Sequence, residues 1–114
     1  MKEQEMIQKV VNFFNTGNVS EVEYVFSPTY IDHQKPSFLT FDGPDEFKEI
    51  VKLARKSLSN LVVTVKDTIV EENKICARLN WKGNNKAGIA VERETIDILL
   101  IENGKITAHW GAEE

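Results

Sequence analysis

The sequence is short of the residues on which most metal, nucleotide and redox chemistry is built. It has one cysteine, Cys76, two histidines, His33 and His109, and three prolines in 114 residues. A lone cysteine excludes an internal disulfide. In the strand-like run KICARLNW it reads as a small packed thiol, since no base flanks it in the chain. There is no CxxC pair, no HExxH and no glycine-rich phosphate loop, and two distant histidines could share a metal only with carboxylates from elsewhere. No metal site is therefore expected. No stretch approaches the roughly 18 apolar residues of a membrane span, so no membrane partner is expected either. The start, MKEQEMIQKV, lacks the positive segment and apolar run of a secretory signal, which makes a cytoplasmic location the expectation. A net charge of -4 with scattered lysines speaks against a nucleic-acid surface, which needs a clustered basic face.

What is present is an ordinary globular composition, 41% hydrophobic and 28% charged, at a length that fits one domain, residues 1–114. Residues 2–16 place Met6, Ile7, Val10, Val11, Phe13 and Phe14 at helical spacing, and Gly17 ends the pattern. VSEVEYVF reads as a second short helix stopped by Pro28, and TYIDHQKP as a short strand leading into a loop. FDGPDEFKEIVKLARKSLS opens with a proline and acidic residues, as helix starts favour, and buries Phe47, Ile50, Val51, Ala54 and Leu58. The period then changes. NLVVTVKDTIVEEN, KICARLNWKG, AVERETIDILLIENGK and KITAHWG read as four strands joined by polar turns, an antiparallel meander. The fold class is thus α+β, with the helices packed on one face of the sheet.

A strongly twisted antiparallel sheet can curl round its helices and leave a cone-shaped pocket, so the side on which each strand residue points becomes the useful question. Strict alternation groups Leu61, Val63, Val65, Asp67 and Ile69, and likewise Arg93, Thr95, Asp97, Leu99 and Ile101. Asp67 and Asp97 each fall on a largely apolar row. Alternation also puts Thr107, His109 and Gly111 on one side of the last strand and Ile106, Ala108 and Trp110 on the other.

The order of these elements, and the stretches GPDEFK, LVVTVKDTIVEENKICAR and IDILLIENGKITAHW, resemble the SnoaL-like polyketide cyclases, of the nuclear transport factor 2 superfamily, from about Glu5 to Gly111. The resemblance implies a curved sheet closed by helices into a conical cavity, a homodimer, and ring closure of a polyketide by intramolecular aldol condensation with no cofactor and no metal. Related members isomerise, hydrolyse or only bind, so fold alone does not fix the reaction. Cyclase, isomerase and hydrolase stay open, in that order. In this family the last strand is expected to read His-Trp-Asp, the aspartate serving as acid/base. Here its position is Gly111, with Glu113 the nearest replacement.

An aldol step needs a base for the proton α to a carbonyl and a donor for the oxygen that becomes negative. His109 is the leading catalytic candidate, because a histidine titrates near neutrality. His33, in the YIDH run that the resemblance places at a pocket mouth, and Asp97 are the others. Asp32 is read as a backbone cap. Arg78 is expected to pair with Asp97 or to contact ligand, and Tyr30, Phe14, Trp81 and Trp110 are candidate ligand contacts, with core packing as the alternative for the aromatics. The expected partner is a small, largely apolar, carbonyl-bearing molecule. The alternative is a non-catalytic binding or dimerisation domain that has lost its carboxylate at Gly111.

Overall fold

The computed structural model describes residues 2–113. Two helices and a one-turn helix lie against one curved five-stranded sheet. Helix α1 (Glu3–Thr16) buries the six apolar residues its spacing singles out and ends on Gly17, whose φ of 73° is left-handed. Arg55, from α3 (Pro44–Ser57), crosses over that glycine and donates to the carbonyls of Phe14 and Asn15 at 2.8 and 2.9 Å. It satisfies the orphan carbonyls of α1 and ties the two helices together. Asn15 does the same towards the sheet, bonding the Val63 backbone with both ends of its carboxamide.

The middle of the chain differs from expectation. The second helix is a single turn, α2 (Val22–Val25), and strand β1 starts at Phe26 and runs to Asp32. The β propensity of the aromatic and threonine residues in FSPTYID outweighs the weak helix signal, and Pro28 is accommodated because β1 is an edge strand.

Strands β2 (Ser59–Glu71), β3 (Lys74–Asn84), β4 (Ala90–Glu102) and β5 (Lys105–Glu113) form the antiparallel meander. The sheet order is β1-β5-β4-β3-β2, and β1 joins β5 in parallel, so the sheet is mixed rather than wholly antiparallel. Helix α3 follows β1 and carries the chain across to the far edge, a connection that leaves β1 beside the last strand.

Two irregularities correct the simple alternation. Pairing slips between Val65 and Asp67, which turns Asp67 to the outer face, and again opposite Leu100 and Ile101. Thr107 is the extra residue there, so Ile106 joins the core while Ala108 faces outward. The core lies between the helices and the concave face. Phe47 is its centre, stacked on Phe26 at 4.1 Å and meeting Phe13, Phe14 and Tyr30 edge-on.

Candidate active site: a histidine between two aspartates

A cavity of about 330 Å³ opens between the concave face of the sheet and helices α1 and α3. That is the low end of the range for small-molecule sites. Most of its wall is apolar: Phe14, Phe26, Phe47, Trp81 and Leu99 are typical. Its polar end is built by three strands.

Register explains the convergence. In the parallel pairing of β1 with β5, Asp32 lies opposite His109. In the antiparallel pairing of β4 with β5, His109 lies opposite Leu99 and Asp97 opposite Gly111, so Asp97 and His109 are diagonal neighbours on the concave face. The imidazole bridges them. His109 Nδ1 is 2.8 Å from Asp32 Oδ1 and Nε2 is 2.7 Å from Asp97 Oδ1. Since a carboxylate only accepts, the arrangement in which both ring nitrogens donate is the doubly protonated ring.

The bonding continues outward from both aspartates. Trp81 Nε1 donates to Thr95 Oγ1 at 2.8 Å, and the Thr95 hydroxyl donates to Asp97 Oδ2 at 2.7 Å. Asp32 Oδ1 also accepts from the Gln34 backbone N–H at 2.8 Å, and the Tyr30 hydroxyl lies beside the same carboxylate. Trp81, Thr95, Asp97, His109 and Asp32 thus form one continuous hydrogen-bonded chain along the wall.

Electrostatics follow from this. Burial alone would lower the His109 pKa, but the bonds from Asp32 and Asp97 and their charges override it and raise it to about 9. His109 is therefore an imidazolium at neutral pH. Asp32 is pushed up by burial, yet the His109 bond and charge, with the Gln34 N–H, bring it below the ordinary carboxylate value. Tyr30 is raised, first by burial and then by the charge of Asp32, so it stays a phenol.

A third carboxyl stands behind Asp32. Glu46, in the first turn of α3, is fully buried and neither of its oxygens has a hydrogen-bond partner among the described residues. Burial, reinforced by the Asp32 charge, raises it to about 7. With the imidazolium between two carboxylates, the polar end carries one net negative charge, and Glu46 adds to it as pH rises through about 7. No group of three or more histidine, cysteine, aspartate or glutamate residues among the described residues is arranged to hold a metal ion, and both His109 nitrogens are already spent on carboxylates.

The candidates named from sequence separate cleanly. His109, Asp97, Tyr30, Phe14 and Trp81 line the cavity. His33, Arg78 and Trp110 do not. His33 and Trp110 stack on each other, 4.8 Å apart and 3° from parallel, away from the cavity wall. The Asp97–Arg78 pair does not form: Asp97 pairs with Ala77 in register, so Arg78 points to the opposite face and binds Asp67 and Glu94 at 3.0 and 3.2 Å. Glu113 is held by Arg93 at 3.3 Å and is not a wall residue. Asp32, read as a backbone cap, does cap Gln34 but is also the second partner of His109. Glu46 was visible only as a helix-start acid. Its spacing to Ile50 and Leu53, i to i+4 and i+7, carries the missed signal that it shares their inward face.

A cavity between helices and a curved five-stranded mixed sheet, with carboxylates and a histidine at one end of an apolar wall, is the architecture of the nuclear transport factor 2-like fold. More narrowly, the chain matches the model of the SnoaL-like polyketide cyclase family over residues 4–114, and it belongs to that family. Among solved structures it is similar to a candidate polyketide cyclase from Bacillus cereus ATCC 10987, with 25% identity and a TM-score of 0.86 over 100% of this chain and 79% of that one. It is also similar to TsrD from Streptomyces laurentii, with 21% identity and a TM-score of 0.84 over 100% of this chain and 92% of that one. A SnoaL-like polyketide cyclase from Agrobacterium tumefaciens, 12% identical, has a TM-score of 0.85 over 100% and 92% of the two chains. The last two likenesses speak for the fold alone. Comparison with curated proteins gives no match.

Proposed function

We propose that this protein holds a small, largely apolar, carbonyl-bearing molecule in its cavity and moves protons on it without a cofactor, with cyclisation ahead of isomerisation. The observation that carries this is the placement of Asp32, His109 and Asp97 as one bonded unit at the end of an apolar cavity. The missing carboxylate at Gly111 is then no obstacle, because Asp97 brings one to the same place from the neighbouring strand.

In this reading the Asp97 carboxylate takes the proton α to a carbonyl, leaving an enolate. The enolate carbon attacks a second carbonyl carbon of the same molecule: a C–C bond forms and the C=O π pair becomes an alkoxide. The alkoxide takes the proton of His109, and the proton on Asp97 returns to His109 across their 2.7 Å bond. No proton is gained or lost overall. Asp32 keeps the imidazole charged and aimed, a positioning role. Isomerisation uses the same first step, with the proton returned to another carbon.

The test is exchange of the α protons of 1-tetralone for deuterium in D2O at neutral pH, followed by NMR. The chain should accelerate exchange above buffer, and Asp97→Asn and His109→Ala should each remove at least about 100-fold of that acceleration. Catalysed exchange that survives in both variants would refute the reading. One observation favours a second reading, binding without turnover: neither ring nitrogen of His109 is free. Its signature is binding of 1-tetralone with no acceleration, and a His109→Ala variant that only binds more weakly.

The homodimer belongs to the same proposal. Ile69, Cys76, Ile98 and Trp110 form one row across four strands on the outer face, with Ile69 69% and Trp110 39% exposed. A second copy covering this row accounts for its apolar character. Sedimentation of the intact chain and of Ile98→Glu checks it: a dimer that the substitution dissociates is expected, and a monomeric intact chain would rule it out.

A further inference from the structure

The donors around the carboxylates are almost all committed. The Trp81 N–H goes to Thr95, the Thr95 hydroxyl to Asp97, and the two His109 N–H groups to the aspartates. The Tyr30 hydroxyl faces Asp32. A ketone oxygen only accepts, so a carbonyl compound in this cavity needs a donor that is still unspent. One stands beside Asp97. Gln34 is pinned by its backbone N–H to Asp32, 2.8 Å away, and its side chain lines the cavity, yet its carboxamide makes no hydrogen bond among the described residues.

Gly111 makes room for it. A Cβ at position 111 would stand 2.1 Å from Gln34 Oε1 and 2.8 Å from Asp97 Oδ1. The φ of Gly111 is not left-handed, so this glycine is required by space rather than by backbone conformation. The Gln34 carboxamide thus fills the seat that a side chain on β5 would take, next to the carboxylate assigned to the α proton. The other polar side chain on the wall without a hydrogen bond among the described residues, the Ser57 hydroxyl, is remote. It adjoins Leu58, which packs at Gly83, and Gly83 lies six residues along β3 from the partner of Asp97, roughly 20 Å at strand rise.

We propose that Gln34 is the specificity-determining residue of the cavity: its Nε2 donates to the ligand's ketone oxygen, and Gly111 is what allows it to be there. This rests on the reading that a carbonyl compound occupies the cavity. The ligand class it selects is a neutral ketone rather than a carboxylate, since two aspartates against one imidazolium repel an anion. A hydrocarbon of the same shape gains nothing from Gln34.

The experiment compares 1-tetralone with tetralin, which lacks only the oxygen, by ¹H–¹⁵N NMR titration of the intact chain and of Gln34→Ala, Gly111→Ala and the double variant. The intact chain should bind 1-tetralone about tenfold more tightly than tetralin, the scale of one net hydrogen bond. Gln34→Ala should bring 1-tetralone to the tetralin level and leave tetralin unchanged. Gly111→Ala pushes against the flexible end of Gln34 and also against Asp97 Oδ1, so it should cost 1-tetralone at least as much as Gln34→Ala does, and adding Gln34→Ala to it should cost nothing further. If Gln34→Ala keeps the preference for the ketone, the role of Gln34 is overturned while carbonyl binding stands. If the losses of the two single variants multiply, Gly111 does not act through Gln34 and the proposal fails in that part. If the intact chain binds neither compound, the proposed function falls and this inference with it.

Discussion

The same sheet carries two carboxylate–cation–carboxylate bridges, one on each face, and they are chemically unlike. On the concave face Asp32, His109 and Asp97 join β1, β5 and β4, and their side chains are 6%, 16% and 11% exposed. On the outer face Asp67, Arg78 and Glu94 join β2, β3 and β4, with Arg78 40% and Asp67 65% exposed. Water screens the outer bridge, and a guanidinium never gives up its proton in the working range, so that triad can only clasp strands together. The inner bridge is largely buried, borders a cavity and is centred on a group that can exchange its proton. Burial and the choice of cation, not the bonding pattern, separate a clasp from a site.

Breaking the two bridges should expose that contrast first in activity. Asp97→Asn should lose at least about 100-fold of the 1-tetralone exchange, whereas Asp67→Asn should leave the rate within about twofold. Equal losses would erase the distinction between the two faces. Stability comes next. Removing the imidazolium strands two buried carboxylates, so His109→Ala should lower Tm by about 10 °C, against no more than about 2 °C for Arg78→Ala, read by thermal unfolding at pH 7.

The response to pH sharpens the comparison further. Glu46 has a folded value of about 7 against 4.5 unfolded, so its burial costs stability as it ionises. That cost is absent below about pH 4.5, grows between 4.5 and 7, and is complete above 7. Glu46→Gln should remove this decline and leave the variant on the order of 2 kcal/mol more stable than the intact chain at pH 8, with little difference at pH 4.5. Denaturant unfolding at the two pH values decides it; an unchanged pH dependence would mean that Glu46 is solvated. His109 has the opposite sign. Its folded value lies above its unfolded 6.5, so its stabilisation is fully present below 6.5 and is lost as pH rises through about 9. Asp32, held below 3.8, contributes above that value and loses its contribution as pH falls further. Salt gives the smallest effect: 0.5 M NaCl should weaken the outer clasp and leave the inner bridge nearly untouched, seen as a Tm shift that Arg78→Ala abolishes.

Much of the fold was legible in the chain. The apolar spacing of α1, the proline and acids at the start of α3 and the four hairpin-linked strands each follow from local pattern, and the structure matches them. The parallel pairing of β1 was not legible, because FSPTYID carries no mark of which strand it will join. The two pairing slips were invisible for the same reason: a bulge is set by both strands of a pair, and alternation within one strand cannot reveal it. Hence Asp67 and Ile106 were placed on the wrong faces, while Asp97 and His109, on regular stretches, were placed on the right one. Asp32 joins the site only through β1's partner, and Gln34 only through the empty space at Gly111, so neither could be assigned from spacing along the chain. His33 is a candidate through the YIDH run of the resemblance, yet it lies in the turn just after β1, where it stacks on Trp110 and not on the cavity wall.

The protonation state of His109 bears most directly on the claim that the inner bridge is a charged, proton-exchanging unit. Its imidazole ¹⁵N resonances, followed by NMR from pH 5 to 10, should show both nitrogens protonated at pH 7 and a single titration near 9. A ring that is neutral at pH 7, with one bare nitrogen and a midpoint near 6.5, would mean that the aspartates do not hold it as an imidazolium, and the proposed chemistry would have lost its acid.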